Sequence, residues 1–218
     1  MKPNCLFFVF LFFSFLSFGL MGQELESERD LRLVSNQIIS ASGELSGNEA
    51  LVRQIGNNND SRAFQQGQNA LSISQEGSRN MGYVEQLGSQ NQTNLRQLGS
   101  FNEASLWAIG RNISINSLQE GRGNVVNAYL EYSGLSGRSA DLVQVGNGNR
   151  IDIALLGNGF VSSGLQVAEV RQVGNQHTLE AIIDPFSGPI SVTQNPGANG
   201  AGMSLNISTS AFNFPMRR

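Results

Sequence analysis

The side chains in this chain that recur at fixed positions are primary amides. Gln54, Gln65, Gln75, Gln86, Gln97, Gln119, Gln144 and Gln172 each stand two residues before a glycine. Asn48, Asn59, Asn69, Asn80, Asn91, Asn102 and Asn149 each stand six residues before that Gln slot, which Ala108 and Leu155 fill twice. An amide carries two N–H donors and a carbonyl acceptor. Its chemistry is therefore hydrogen bonding to another copy of itself. Catalytic groups are scarce by comparison. His177 is the single histidine and falls in an Asn slot, where it reads as an imperfect repeat. The chain has no Cys/His cluster for zinc and no Ser-His-Asp set. The GxG at Gly146-Asn147-Gly148 lacks the third glycine and the following helix of a nucleotide loop. The residues predict no enzyme, cofactor, metal site or small-molecule substrate.

The elements that position these amides follow from the spacing. Gly56, Gly67, Gly77, Gly88, Gly99, Gly110 and Gly121 are separated by 11, 10, 11, 11, 11 and 11 residues. Gly146 and Gly157 are again 11 apart, and Gly174 closes another unit. A right-handed helical supercoil also has an 11-residue period, but a glycine in every unit opposes a long helix. Within units such as Asn69-Ala70-Leu71-Ser72-Ile73-Ser74-Gln75 and Asn149-Arg150-Ile151-Asp152-Ile153-Ala154-Leu155 the pattern has period two. That is a half-buried strand. Glu49, Arg53, Asp60, Arg62, Glu85, Arg96, Glu103 and Asp141 all take the opposite, outward phase. The Gly/Asn/Ser spacers read as turns, where φ > 0 is tolerated.

Two units then make a rung of about 22 residues, and stacked rungs bury what a single rung cannot. The expected fold is all-β: a β-solenoid with 11-residue half-rungs and five or six rungs. Copies of one slot in successive rungs would lie about 4.8 Å apart, so each Gln can donate to the next, as in cross-β assemblies. A buried amide left without that partner would cost about 1–3 kcal/mol. A slip of one residue would turn every Gln outward.

Lys2 followed by the apolar run from Leu6 to Leu20, and then Gly19-Leu20-Met21-Gly22, reads as a secretory signal peptide over residues 1–22. The run is short for a membrane-spanning helix, which needs about 20 residues. Cys5 is the only cysteine and lies within that signal, so the mature chain is held together without disulfides. Without Lys2 the basic residues are 13 arginines against 17 acidic side chains, a net charge of −4. A nucleic-acid binder should be basic.

The spacing Asn80-x5-Gln86-x4-Asn91-x5-Gln97, and its copy from Asn69 to Gln86, resembles the repeat of curlins, the subunits of bacterial curli amyloid fibres. The resemblance covers roughly residues 48–175. It implies export through a dedicated outer-membrane secretion channel with accessory factors. It also implies self-assembly with other curlin subunits into extracellular, cell-surface fibres of the biofilm matrix. The strings NEALVRQIGNNNDSRAF and GSFNEASL look more like a nucleator than a major subunit. Residues 23–47 occupy the position of a secretion-targeting leader. Residues 48–183 form the repeats, and 184–218 form a degenerate repeat and tail.

Two other readings compete. One is a monomeric secreted β-solenoid adhesin or carbohydrate- or ice-binding module, which should show a flat outward array of Thr or aromatic residues. The outward aromatics Phe64, Tyr83, Trp107 and Tyr129 are read as scattered. The other is a β-helix enzyme, which should show clustered outward carboxylates. Departures from the period are expected at Tyr132–Gly134, near Ser162-Ser163, and from Asp184-Pro185 onward. Capping elements at the two ends are not evident in the sequence.

Overall fold

The computed structural model describes residues 47–131, 137–155, 166–182, 189–197 and 200–208. The signal, the leader except Gly47, and the end of the tail lie outside these residues. So do Gly157 and the departures at Tyr132–Gly134, Ser162-Ser163 and Asp184-Pro185.

All twelve described strands pair in parallel, and none pairs antiparallel. They are β1 (Glu49–Asn57), β2 (Asp60–Ser78), β3 (Met81–Ser100), β4 (Glu103–Arg111), β5 (Ile113–Arg122), β6 (Val125–Ala128), β7 (Arg138–Asn147), β8 (Arg150–Ile153), β9 (Gln166–Asn175), β10 (Thr178–Ile182), β11 (Ile190–Gln194) and β12 (Ser204–Ser208). Their pairing sorts them into two facing columns. The first stacks β1, the second halves of β2 and β3, then β5, β7, β9 and β11. The second stacks the first halves of β2 and β3, then β4, β6, β8, β10 and β12. This is a β-solenoid of about six turns, as the period predicts.

Alternation follows from this arrangement. Leu71, Ile73, Leu95, Ile115 and Leu142 from the first column meet Val84, Leu106, Val126, Ile151 and Leu179 from the second in one continuous core. Each such side chain contributes about 1.5–3 kcal/mol on burial.

The corners differ from free turns. Pairing continues through the bend of β2 and β3, where Gly67 meets Gly88 and Gln68 meets Ser89. At the opposite corner the backbone is bonded from level to level: Arg79 N–H to Asn57 O, Phe101 N–H to Ser78 O, Gly123 N–H to Ser100 O (3.0, 3.1 and 3.0 Å). The physical reason is that an arc stacked on an identical arc can satisfy its backbone groups along the stack. The single 10-residue spacing, Gly67 to Gly77, is absorbed by a register shift between Gln68 and Asn69, so that Gln90 of the next level has no counterpart.

Extra residues fall outside the paired strands, as expected where each repeat contacts only its neighbours. In the second column, Glu103 pairs with Val125, Val125 with Arg150, and Arg150 with Thr178, steps of 22, 25 and 28 residues. The extra residues fall between β6 and β7 and between β8 and β9, and the strands keep their register.

Candidate functional site

The structure divides the amides into unequal columns. Gln54, Gln75, Gln97, Gln119, Gln144 and Gln172 share one slot of the first column, and Gln194 extends it. Each Nε2 donates to the Oε1 of the next Gln, at 2.6, 2.7, 2.8, 3.1, 2.9 and 2.7 Å in order. Gln75 to Gln194 are fully buried. The second proton of each buried amide crosses the core. Gln75, Gln97, Gln119, Gln144 and Gln172 donate to the carbonyls of Asp60, Met81, Glu103, Val125 and Arg150 on the facing column, all within 2.9–3.0 Å. One side chain therefore fastens level to level and sheet to sheet. That cross-core bond has no signature in the spacing, since any residue type can supply a backbone carbonyl.

Gln65 and Gln86 belong to the other column. Gln65 donates to Gln86 at 2.7 Å, and Gln86 then turns to Thr93 Oγ1 (2.9 Å) because Ala108 stands above it. Grouping Gln86 with Gln75 and Gln97, as linear spacing suggests, joins two separate columns.

The Asn slot is a corner staple. Asn59, Asn80, Asn102 and Asn149 share one slot, and Asn124, which the spacing missed because its half-rung carries neither the Gln nor the Gly, completes the series. Each Oδ1 accepts the backbone N–H of the next: Asn80 to Asn59, Asn102 to Asn80, Asn124 to Asn102, Asn149 to Asn124, at 3.0–3.1 Å. Each Nδ2 bonds the carbonyl of the corner glycine one level on: Gly77, Gly99, Gly121, Gly146 and Gly174. In the first column Asn48, Asn69 and Asn91 do the same through Asn48 Oδ1–Asn69 N and Asn69 Oδ1–Asn91 N. That series ends where Ile113 takes the slot.

The glycines also separate. Gly56, Gly77, Gly99, Gly121, Gly146 and Gly174 line one corner, and Gly67, Gly88 and Gly110 the other. At Gly99 (φ 110°) an added Cβ would run into the Gly121 carbonyl oxygen. Two residues further on, the chain is left-handed again. There non-glycine residues serve: Asn58, Arg79, Phe101 and Gln176. Phe101 is held between Arg79 and Arg122, each guanidinium 5.1 Å from its ring centroid, a cation–π sandwich.

His177 takes the Asn slot with contacts of its own. Its Nδ1 accepts the Met203 N–H at 3.1 Å, which leaves Nε2 to donate to Val173 O at 2.8 Å. Replacing His177 with Ala leaves both groups without partners and should cost about 1–3 kcal/mol. His177→Asn should recover part of that loss, since Asn102 makes the equivalent bond to Leu98 O. Urea midpoints of the two variants check the order.

The outward aromatics are more organised than the sequence suggests. Trp107 lies between Tyr83 (6.4 Å, 63°) and Tyr129 (5.9 Å, 79°), edge to face, so the row is not a flat platform. Phe64 stays apart, its register partner being Glu85. The Tyr83 hydroxyl donates to Glu85 (2.9 Å) and Tyr129 to Glu131 (2.7 Å). The bond to Glu131 favours the protonated phenol and pushes Tyr129 up to about 12 from 10.0. Its contribution to stability is complete below pH 10 and is lost as pH rises through about 12. Tyrosinate absorbance should show this late titration, and Glu131→Gln should bring it back toward the ordinary value. Among the described residues no group of three or more His, Cys, Asp or Glu is placed to hold a metal ion.

Parallel rungs joined by buried amide columns define a repeat protein of the structural, cross-β kind. The curlin associated repeat model matches residues 68–99, within β2 and β3, and supports assigning this chain to the curlin family. No curated protein and no solved structure matches it. The repeat and the amide columns fit a curli-type structural subunit.

Proposed function

We propose that this chain is exported and joins curli-type fibres outside the cell, in the biofilm matrix, as a nucleator or fibre subunit that adds rung on rung. The observation that carries this reading is the Gln column, unbroken from Gln54 to Gln194 across every level of the stack. A column of this kind is a template: at its Gln54 end the slot offers a preceding amide the same Oε1 acceptor that every inner level has. The export signal over residues 1–22, the leader over 23–47 and passage through a curli-type secretion channel belong to the same proposal. So do the assembly roles of the amide and glycine columns.

Incubating residues 23–218 with a tandem-repeat curlin chain tests it. Thioflavin-T fluorescence should rise after a shortened lag, and oriented fibres should give a reflection at about 4.7–4.8 Å. An unchanged lag with no incorporation of this chain would refute the proposal.

A further inference from the structure

The two ends of the stack are chemically different. At the N-terminal end, β1 is a nine-residue strand paired on one side only, with β2, and all nine residues are exposed. Val52 occupies the slot that Ile73 and Leu95 fill in the next levels, yet it is 46% exposed where they are 1% and 2%. The first half of β2, Asp60 to Gly67, likewise pairs only with β3. Gln54 and Gln65 donate inward, to Gln75 and Gln86. No donor from the described residues reaches their Oε1 atoms. Among the described residues this end therefore presents two amide acceptors beside a full-length strand edge on which Leu51, Val52 and Ile55 are exposed.

The C-terminal end is blunted. Its edge strands, β11 and β12, have five residues each. Pro189 and Pro196 flank β11, and proline cannot donate to a ladder. Short, proline-flanked edges are how native sheets resist further pairing. The decisive atom is Gln194 Nε2. In every inner level of this column one Nε2 proton goes to the next Gln. In Gln194 one goes to Thr178 O and the other to Met203 O, both at 3.1 Å. Met203 is fixed in turn by His177. The column ends on the chain's own backbone, with no proton left for a following rung.

We infer that assembly through this chain is one-ended. Its N-terminal edge accepts the last rung of a different chain built on the same repeat, one whose terminal Gln still has a free Nε2 proton. A second copy of this chain is a poor partner there, because its own Gln194 has no proton to give. The inference rests on the function proposed above and adds its polarity and its partner.

The test uses residues 23–218 as substoichiometric seed. The probe is a fluorescent chain of tandem 22-residue curlin repeats ending in an unpaired Gln. Val52→Lys places a charge on the open edge, in the inward slot it shares with Ile73 and at a residue already 46% exposed. Leu205→Lys, at 38% exposure, does so at the other end. Thermal unfolding of each monomer serves as the folding control. Val52→Lys is expected to return the probe's lag to its unseeded value, and Leu205→Lys to leave it at the wild-type seeded value. The reverse pattern, or equal loss at both ends, overturns the inference while leaving the proposed function standing. Failure of the unvaried chain to shorten the lag removes both.

Discussion

Gln97→Leu should lower stability by about 3 kcal/mol or more, although leucine fills nearly the same volume. The substitution strands three buried groups: a Gln75 Nε2 proton, the Gln119 Oε1 and the Met81 carbonyl. Each such group costs about 1–3 kcal/mol when left unmet. Changing Gln75, Gln97, Gln119 and Gln144 together should cost much less per residue. Donors and acceptors inside the column then disappear in pairs, leaving its two ends and the four facing carbonyls. Urea denaturation of the single and quadruple variants gives the comparison. Four costs that simply add would mean the amides act independently rather than as a column. Gln86→Leu likewise strands three groups, now in the other column: a Gln65 Nε2 proton, the Thr93 hydroxyl and the Ala70 carbonyl.

Gly99→Ala should be worse than its size suggests, at roughly 3 kcal/mol or above. Its φ of 110° lies outside the left-handed well that other residues visit. The new methyl group would also press on the Gly121 carbonyl, which accepts the Asn102 amide at 3.1 Å. Relief of that contact must move one level off the next and loosen the corner staple. Gly123→Ala is the control. It has φ 66° and nothing within 4 Å of an added Cβ, so about 1 kcal/mol is expected. The same corner slot already carries Asn58, Arg79 and Phe101 with φ near 57°. Equal losses at Gly99 and Gly123 would mean the close approach of successive corners is not what fixes glycine there.

The period was legible in the sequence because every rung repeats the same physical demands: an inward Gln, a corner Gly, an outward charge. Alternation in Ile151-Asp152-Ile153 and Leu71-Ser72-Ile73 identified strands for the same reason. Column membership was not legible. Gln75, Gln86 and Gln97 follow one another at one spacing, yet Gln86 faces the other two across the core. A linear period cannot tell odd half-rungs from even ones when both use the same residues. Asn124 escaped because its half-rung carries neither the Gln nor the Gly that mark the others, although its corner contacts are complete. The closure at Gln194 was hidden for another reason. It is made by the Met203 carbonyl, a backbone group at the far side of a loop whose Asn195-Pro196-Gly197 looks only like a break in the pattern. The aromatic row of Tyr83, Trp107 and Tyr129 likewise needs the stacking of adjacent slots, which spacing along the chain does not display.

Side-chain amide hydrogen exchange, followed residue by residue by NMR, tests the account most directly. The Nε2 protons of Gln75, Gln97, Gln119, Gln144 and Gln172 should exchange only with opening of the stack, while those of the exposed corner residues Gln66 and Gln68 exchange freely. Exchange of the column glutamines as fast as Gln66 and Gln68 would contradict a continuous, buried amide column.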